Sequence, residues 1–190
     1  MAVSYEPIRL VQSIGQGFPR AGRGPENSAG TFNLGVPLQI DGDGMLLEFT
    51  ASAPTIVYGV NNERPHNLAV DGTAEDLNEG DPPNQPSAVT TPVGAWMRDG
   101  KLGYYAADGR NIFSIMMKDG QTFTDTLVAA SVYYGLTKDA TSGFWYLDST
   151  DTSGDNAVAT LLGVDPSSPN TAALGARVYF QFKAALRFFD

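Results

Sequence analysis

The residues whose types and spacing bear on chemistry are few. The densest set is Asp148-Ser149-Thr150-Asp151-Thr152-Ser153-Gly154-Asp155-Asn156. A calcium ion takes roughly six to eight oxygen ligands, and Asp148, Asp151 and Asp155 with their hydroxyl and amide neighbours are the candidate metal set. The spacing is not that of an EF-hand loop. The same residues also suit a solvated hairpin tip held by Asp and Ser side-chain turns, and on that reading no metal or other cofactor is expected.

His66 is the single histidine, and there is no cysteine. A Ser-His-Asp or Cys-His arrangement would have to use it, yet it sits in the polar turn Asn61-Asn62-Glu63-Arg64-Pro65-His66-Asn67. Asp41 and Asp43 are close enough to pair as catalytic carboxylates, but both fall in an Asp-Gly-Asp-Gly run. Backbone conformation already accounts for Asp there. Gly15-Gln16-Gly17-Phe18-Pro19-Arg20 begins like a dinucleotide loop, but it lacks the third glycine and holds a proline. No nucleophile elbow, Walker loop or zinc-protease motif is present. No catalytic residue is assigned, and the chain is expected not to be an enzyme.

Aromatic residues are plentiful, and alternation along strands sends half of them inward. The outward ones, Tyr179 and either Trp145 or Tyr146, suit a subunit contact or sugar stacking. Phe188 and Phe189, near the end of the sequence, need docking in cis or on a neighbour.

These groups must be positioned by strands. From Ala176 to Phe189 the even positions carry Val178, Phe180, Phe182, Ala184, Leu186 and Phe188, and the odd ones are mostly polar. Period-two alternation predicts a strand with one buried face, here about twice the usual length, and so hints at assembly. Further strands are expected over 36–40, 45–50, 55–60, 133–138, 144–148 and 157–164. Asp41–Gly44 predicts one hairpin, and Asp139–Gly143 a second. Asp99-Gly100, Asp108-Gly109 and Asp119-Gly120 punctuate segments 101–107 and 110–118, which predicts a meander of type I′ hairpins. Asn111–Met117 is apolar on both faces, so it is central in a sheet or under an interface. Helix is scarce: Thr73–Asp76 resembles a capping box, and 127–134 is a short helical candidate.

Residues 13–30 hold five glycines and two prolines, and residues 80–94 hold four prolines. The first predicts an extended N-terminal arm, the second a long loop. The organisation expected is an arm over 1–30 and one all-β domain over 31–190, an antiparallel barrel or a jelly-roll-like sandwich.

The chain has 190 residues, 12 Lys and Arg, 21 Asp and Glu, and a net charge of −9. That balance makes nucleic acid a poor partner. No apolar run reaches the roughly 20 residues of a membrane span, and no leader pattern opens the sequence, so a cytoplasmic origin is expected.

A Gly/Pro-rich segment leads into Thr31-Phe32-Asn33-Leu34-Gly35-Val36-Pro37-Leu38. Later come Tyr134-Gly135-Leu136-Thr137-Lys138-Asp139-Ala140-Thr141-Ser142-Gly143-Phe144-Trp145-Tyr146-Leu147-Asp148 and Ala176-Arg177-Val178-Tyr179-Phe180-Gln181-Phe182. Over residues 30–190 this layout resembles the head decoration, or cement, proteins of tailed bacteriophages. The resemblance implies a compact β-barrel or jelly-roll and a homotrimer on the capsid surface of the virion. It further implies a clamp between major capsid subunits, with no catalytic residues. Arg9, Arg20 and Arg23 of the arm, with Tyr179, Phe188 and Phe189, are then the expected contacts with capsid or neighbouring copy. The alternative is a carbohydrate-binding β-sandwich of tail-fibre or lectin-like type, which needs exposed aromatics in a row.

Overall fold

The computed structural model describes residues 5–14, 18–26, 32–41, 44–50, 56–62, 101–129, 132–153, 156–171 and 175–187. His66, Asp155, Phe188, Phe189, the capping-box candidate Thr73–Asp76 and the proline-rich stretch 80–94 lie outside them.

The described residues form an almost all-β fold, with two single-turn 3-10 helices as the other regular elements. Its elements are β1 (Arg9–Ser13), β2 (Ala21–Pro25), β3 (Pro37–Ile40), β4 (Leu46–Glu48), β5 (Val57–Asn61), β6 (Lys101–Ala106), β7 (Asn111–Met116), β8 (Tyr134–Lys138), β9 (Trp145–Asp148), β10 (Ala157–Val164) and β11 (Arg177–Phe182). A larger sheet has the order β1-β7-β11-β10-β8-β9, and a smaller one β2-β6-β5-β3-β4, with all named pairs antiparallel. The sheets pack as a sandwich rather than closing into one barrel. Between them lies a single core that includes Leu38, Val57, Leu102, Phe113, Ile115, Leu136, Trp145, Val158 and Phe180.

The strongest sequence pattern folds as its period demands. Val178, Phe180 and Phe182 point inward and are at most 1% exposed. Phe113, Phe180 and Phe182 form a triangle with centroids 5.1 to 5.8 Å apart. The strand is shorter than its alternation, however. It stops at Phe182, and Ala184–Leu186 turn as a 3-10 helix. The Arg187 side chain closes that turn, Nε donating to the Phe182 carbonyl at 2.7 Å. The expectation of assembly from strand length therefore falls.

β7 is an interior strand of the larger sheet, between β1 and β11. Both predicted hairpins are present, β3–β4 and β8–β9. In the second, the Asp139 carboxylate accepts from the Ser142 N–H and hydroxyl at 2.6 and 2.7 Å.

The expected meander is not formed. β6 belongs to the smaller sheet and β7 to the larger, so Asp108-Gly109 is a corner between layers. Buried Asp108 accepts from the N–H groups of Arg110 and Asn111 at 3.0 and 2.8 Å. Asn111, fully buried, donates to the carbonyls of Arg20 and Ala106, both at 3.0 Å. This Asx turn bends the chain without the positive φ that a type I′ hairpin requires, and Gly109 takes none. The helical candidate 127–134 is also absent. Asp125–Leu127 is a single 3-10 turn, and Tyr134 already belongs to β8.

The N-terminal arm is corrected too. β1 pairs with β7, and β2 pairs with β6, so the described part of residues 1–30 contributes an edge strand to each sheet. The glycines of β2 serve close packing there. A Cβ on Gly22 would lie 2.7 Å from the Tyr104 hydroxyl, and one on Gly24 would lie 2.8 Å from Leu46.

Candidate functional site: an N-terminal strap and the groups it engages

The most concentrated polar arrangement involves the first described residues. Residues 5–8 form a strap leading into β1. Tyr5 stacks on Tyr146 of β9, centroids 4.9 Å apart, and its hydroxyl accepts from the Asp119 N–H at 2.9 Å. Ile8 is buried, and its N–H donates to the Gly35 carbonyl at 3.0 Å. Between these anchors, Glu6 Oε2 accepts from Arg9 Nη2 and Arg177 Nη2, both at 2.8 Å.

Arg177 is the group that reading by alternation misplaced. It occupies an outward, odd position of β11, yet only 5% of it is exposed. Nη1 donates to Ser114 Oγ at 2.9 Å and to the Ser114 carbonyl at 3.3 Å, and both terminal nitrogens lie 3.4 Å from the Pro7 carbonyl. Burial, then the neighbouring Arg9, pulls its pKa down, against the Glu6 carboxylate, which raises it. The strap therefore covers a guanidinium that would otherwise be wet. The only sequence signal was an arginine flanked by Ala176 and Val178, which does not identify its carboxylate.

Asp148 is consumed by the fold. Burial opposes its ionised form, but hydrogen bonds from Lys118, Thr150 and Gln121 outweigh it and hold the carboxyl far below the usual range. Oδ2 accepts from Lys118 Nζ at 2.7 Å, and Oδ1 from Gln121 Nε2 at 2.7 Å and the Thr150 hydroxyl at 2.7 Å. Asp151 caps the same region, its carbonyl accepting from the Gly135 N–H at 2.8 Å. Among the described residues no group of three or more His, Cys, Asp or Glu is arranged to hold a metal ion. Asp155 lies outside that set.

Glu48 joins the sheets. Oε1 accepts from the indole N–H of buried Trp145 at 2.8 Å, and Oε2 from Lys138 Nζ at 2.7 Å. Trp145 is thus the inward member of its pair and Tyr146 the outward one, covered by Tyr5. Tyr133 lies beneath Lys183 Nζ, 4.4 Å from the ring centroid. Tyr179 is half-buried beside Asp165; burial, then the Asp165 charge, raises its pKa. Tyr146, Tyr133 and Tyr179 thus have different partners: Tyr5, Lys183 and Asp165.

Of the expected contact residues, Arg9 and Arg20 are exposed. Arg23 turns back on its own sheet, Nη2 donating to the Lys101 carbonyl at 2.6 Å. The same N-terminal segment that carries Arg9 and Arg20 also exposes large apolar side chains: Val11 is 44%, Ile14 51% and Phe18 98% exposed. No helix among the described residues is long and apolar enough to cross a membrane.

Protein-family models, curated proteins and solved structures were compared with this chain, and none matches.

Proposed function

We propose that this chain is a structural protein of a bacteriophage virion, bound to the outside of the capsid and stabilising contacts between major capsid subunits. The observation that most supports this reading is the N-terminal segment. It exposes Val11, Ile14 and Phe18 in the same segment as the exposed Arg9 and Arg20, while Asp148, Glu48 and Arg177 are bonded within the body. Large apolar groups exposed close together in the chain are the kind of surface that a contact would cover. A clamp needs such a surface and a rigid sandwich behind it, and it needs no reactive centre.

The test is co-sedimentation with undecorated capsid shells of its own phage. Deleting residues 1–24 is a poor probe, because it removes β1, most of β2 and the carboxylate partner of Arg177. Ile14→Asp and Phe18→Asp are better, since both side chains are already exposed. The expected result is binding by the unaltered chain and loss of binding by these variants at an unchanged melting temperature. An unaltered chain that stays in the supernatant overturns the reading.

A further inference from the structure

Six Asp-Gly pairs punctuate the chain, and the structure describes two of them in full, Asp108-Gly109 and Asp119-Gly120. Such a pair has a chemistry beyond turn formation. Glycine carries no Cβ to shield its nitrogen or restrict its backbone, and that nitrogen can attack the carboxyl of the aspartate before it. The fold treats the two pairs in opposite ways.

Asp108-Gly109 is closed to this attack. Asp108 is 4% exposed, and its Oδ1 is fixed by the N–H groups of Arg110 and Asn111 at 3.0 and 2.8 Å. Gly109 is gripped as well. Its carbonyl accepts from Gln181 Nε2 at 3.0 Å, and a Cβ on it would lie 2.8 Å from Arg187 Nη1.

Asp119-Gly120 is open. The two residues are the centre of the turn Lys118–Gln121, in which the Gln121 N–H donates to the Lys118 carbonyl at 3.0 Å. Both are exposed. Gly120 has a φ of +81°, and a Cβ on it would meet no atom within 4 Å. The Asp119 carboxylate accepts no hydrogen bond from any described residue, and the Gly120 N–H donates to none. The Asp119 N–H, which donates to the Tyr5 hydroxyl at 2.9 Å, is not one of the reacting groups.

The place of the turn gives the reaction a consequence. Lys118 Nζ and Gln121 Nε2, on either side of the pair, both hold the Asp148 carboxylate at 2.7 Å. Gln121 Oε1 also accepts from the Ser149 N–H at 2.9 Å. The spacing of these two side chains is set by the main chain between them.

We propose that Asp119-Gly120 is a site of spontaneous isoaspartate formation, and that the conversion loosens the hold on Asp148. The Gly120 nitrogen bonds to Cγ of the protonated Asp119 carboxyl, and the hydroxyl leaves with the amide proton as water, giving a succinimide. Water then adds at one of the two ring carbonyls, and the C–N bond at that carbonyl breaks. Opening at Cγ restores Asp119. Opening at the main-chain carbonyl routes the chain through Cβ and Cγ and leaves the former main-chain carbonyl as a free carboxylate. Water is released and then consumed, and nothing is oxidised or reduced. The main chain between Lys118 and Gln121 is one atom longer, so the two side chains no longer meet Asp148 in their original register.

The experiment is to age the full chain in neutral buffer and map its peptides by mass spectrometry with electron-transfer fragmentation, which distinguishes the two linkages. The denaturant midpoint of the aged protein is measured beside that of the fresh one. Isoaspartate at position 119 should exceed that at 108 several-fold, and the midpoint should fall as it accumulates. Asp119→Glu keeps the charge, while its extra methylene disfavours the ring, so this variant should hold its midpoint through the same ageing. Absence of isoaspartate at 119, equal conversion at 119 and 108, or an equal fall of the midpoint in Asp119→Glu overturns the proposal. The comparison of 119 with 108 is made in the unaltered chain, so it stands whether or not the variant folds. Capsid binding is not read in this experiment, and the capsid reading stands or falls separately.

Discussion

Glu6 Oε2 and Arg177 Nη2 lie 2.8 Å apart although 171 positions separate them in the chain. The pair ties the first described segment to β11, next to a centre strand rather than to the sheet's rim. Arg177 is buried and Glu6 half-exposed, so the two ends of the bond are not equivalent. Removing the carboxylate strands a buried cation, whereas removing the cation leaves a carboxylate that water can reach.

Glu6→Ala is therefore expected to destabilise the fold by about 2 kcal/mol, the order of a lost hydrogen bond to a charged group. It should also raise amide exchange in Asn111–Met116, the strand paired with β1. Chemical denaturation and hydrogen exchange measure both. Unchanged exchange in β7 would mean that the strap is not held by this pair.

Gly35 provides an independent handle on the same strap. Its φ is +71°, and a Cβ there would lie 2.6 Å from the Ile8 carbonyl oxygen. Gly35→Ala thus meets both a disfavoured conformation and a backbone collision. A loss of about 1–3 kcal/mol is expected, visible as a lower denaturant midpoint, with exchange rising in β7 as for Glu6→Ala.

The depressed pKa of Asp148 fixes the sign of a pH effect. The carboxyl is more acidic folded than unfolded. Its contribution is fully present above the unfolded value, about 3.9, and is lost as the pH falls through the folded value. Asp148→Ala should lower stability at pH 7 by about 2 kcal/mol. The gap from the unaltered chain should narrow in denaturation curves below about pH 4. A gap constant with pH would assign the loss to packing.

Glu48 supports both Trp145 and Lys138 from the opposite sheet. Glu48→Ala leaves the buried indole N–H without its acceptor, a cost of about 1–3 kcal/mol. Glu48→Gln keeps an acceptor for the indole and loses only the ion pair to half-exposed Lys138, so it should cost well under half as much. Thermal melts of the two variants measure the ratio. Equal losses would place the energy in the ion pair instead.

Much of the fold could be read from the sequence because its cause is local. Alternation fixed which face of β11 is buried, because successive side chains of a strand point to opposite sides. Asp-Gly-Asp-Gly and Asp139–Gly143 predicted their hairpins because such turns depend on only a few residues. The all-β class, the central place of β7 and the scarcity of helix follow in the same way. What failed was long-range. Gly22 and Gly24 read as an arm because a glycine that makes room for Tyr104 looks the same in sequence as a glycine in a loop. Asp108-Gly109 read as a hairpin because the partner of each flanking strand is not written between them. The burial of Arg177 depends on Glu6 and Pro7 lying over it, and Asp148 is occupied only because Lys118 and Gln121 reach it from the chain after β7. Local periodicity determined the strands. Contacts between residues distant in sequence decided which sheet each strand joined and which charges were buried, because those free energies exist only once the chain has folded.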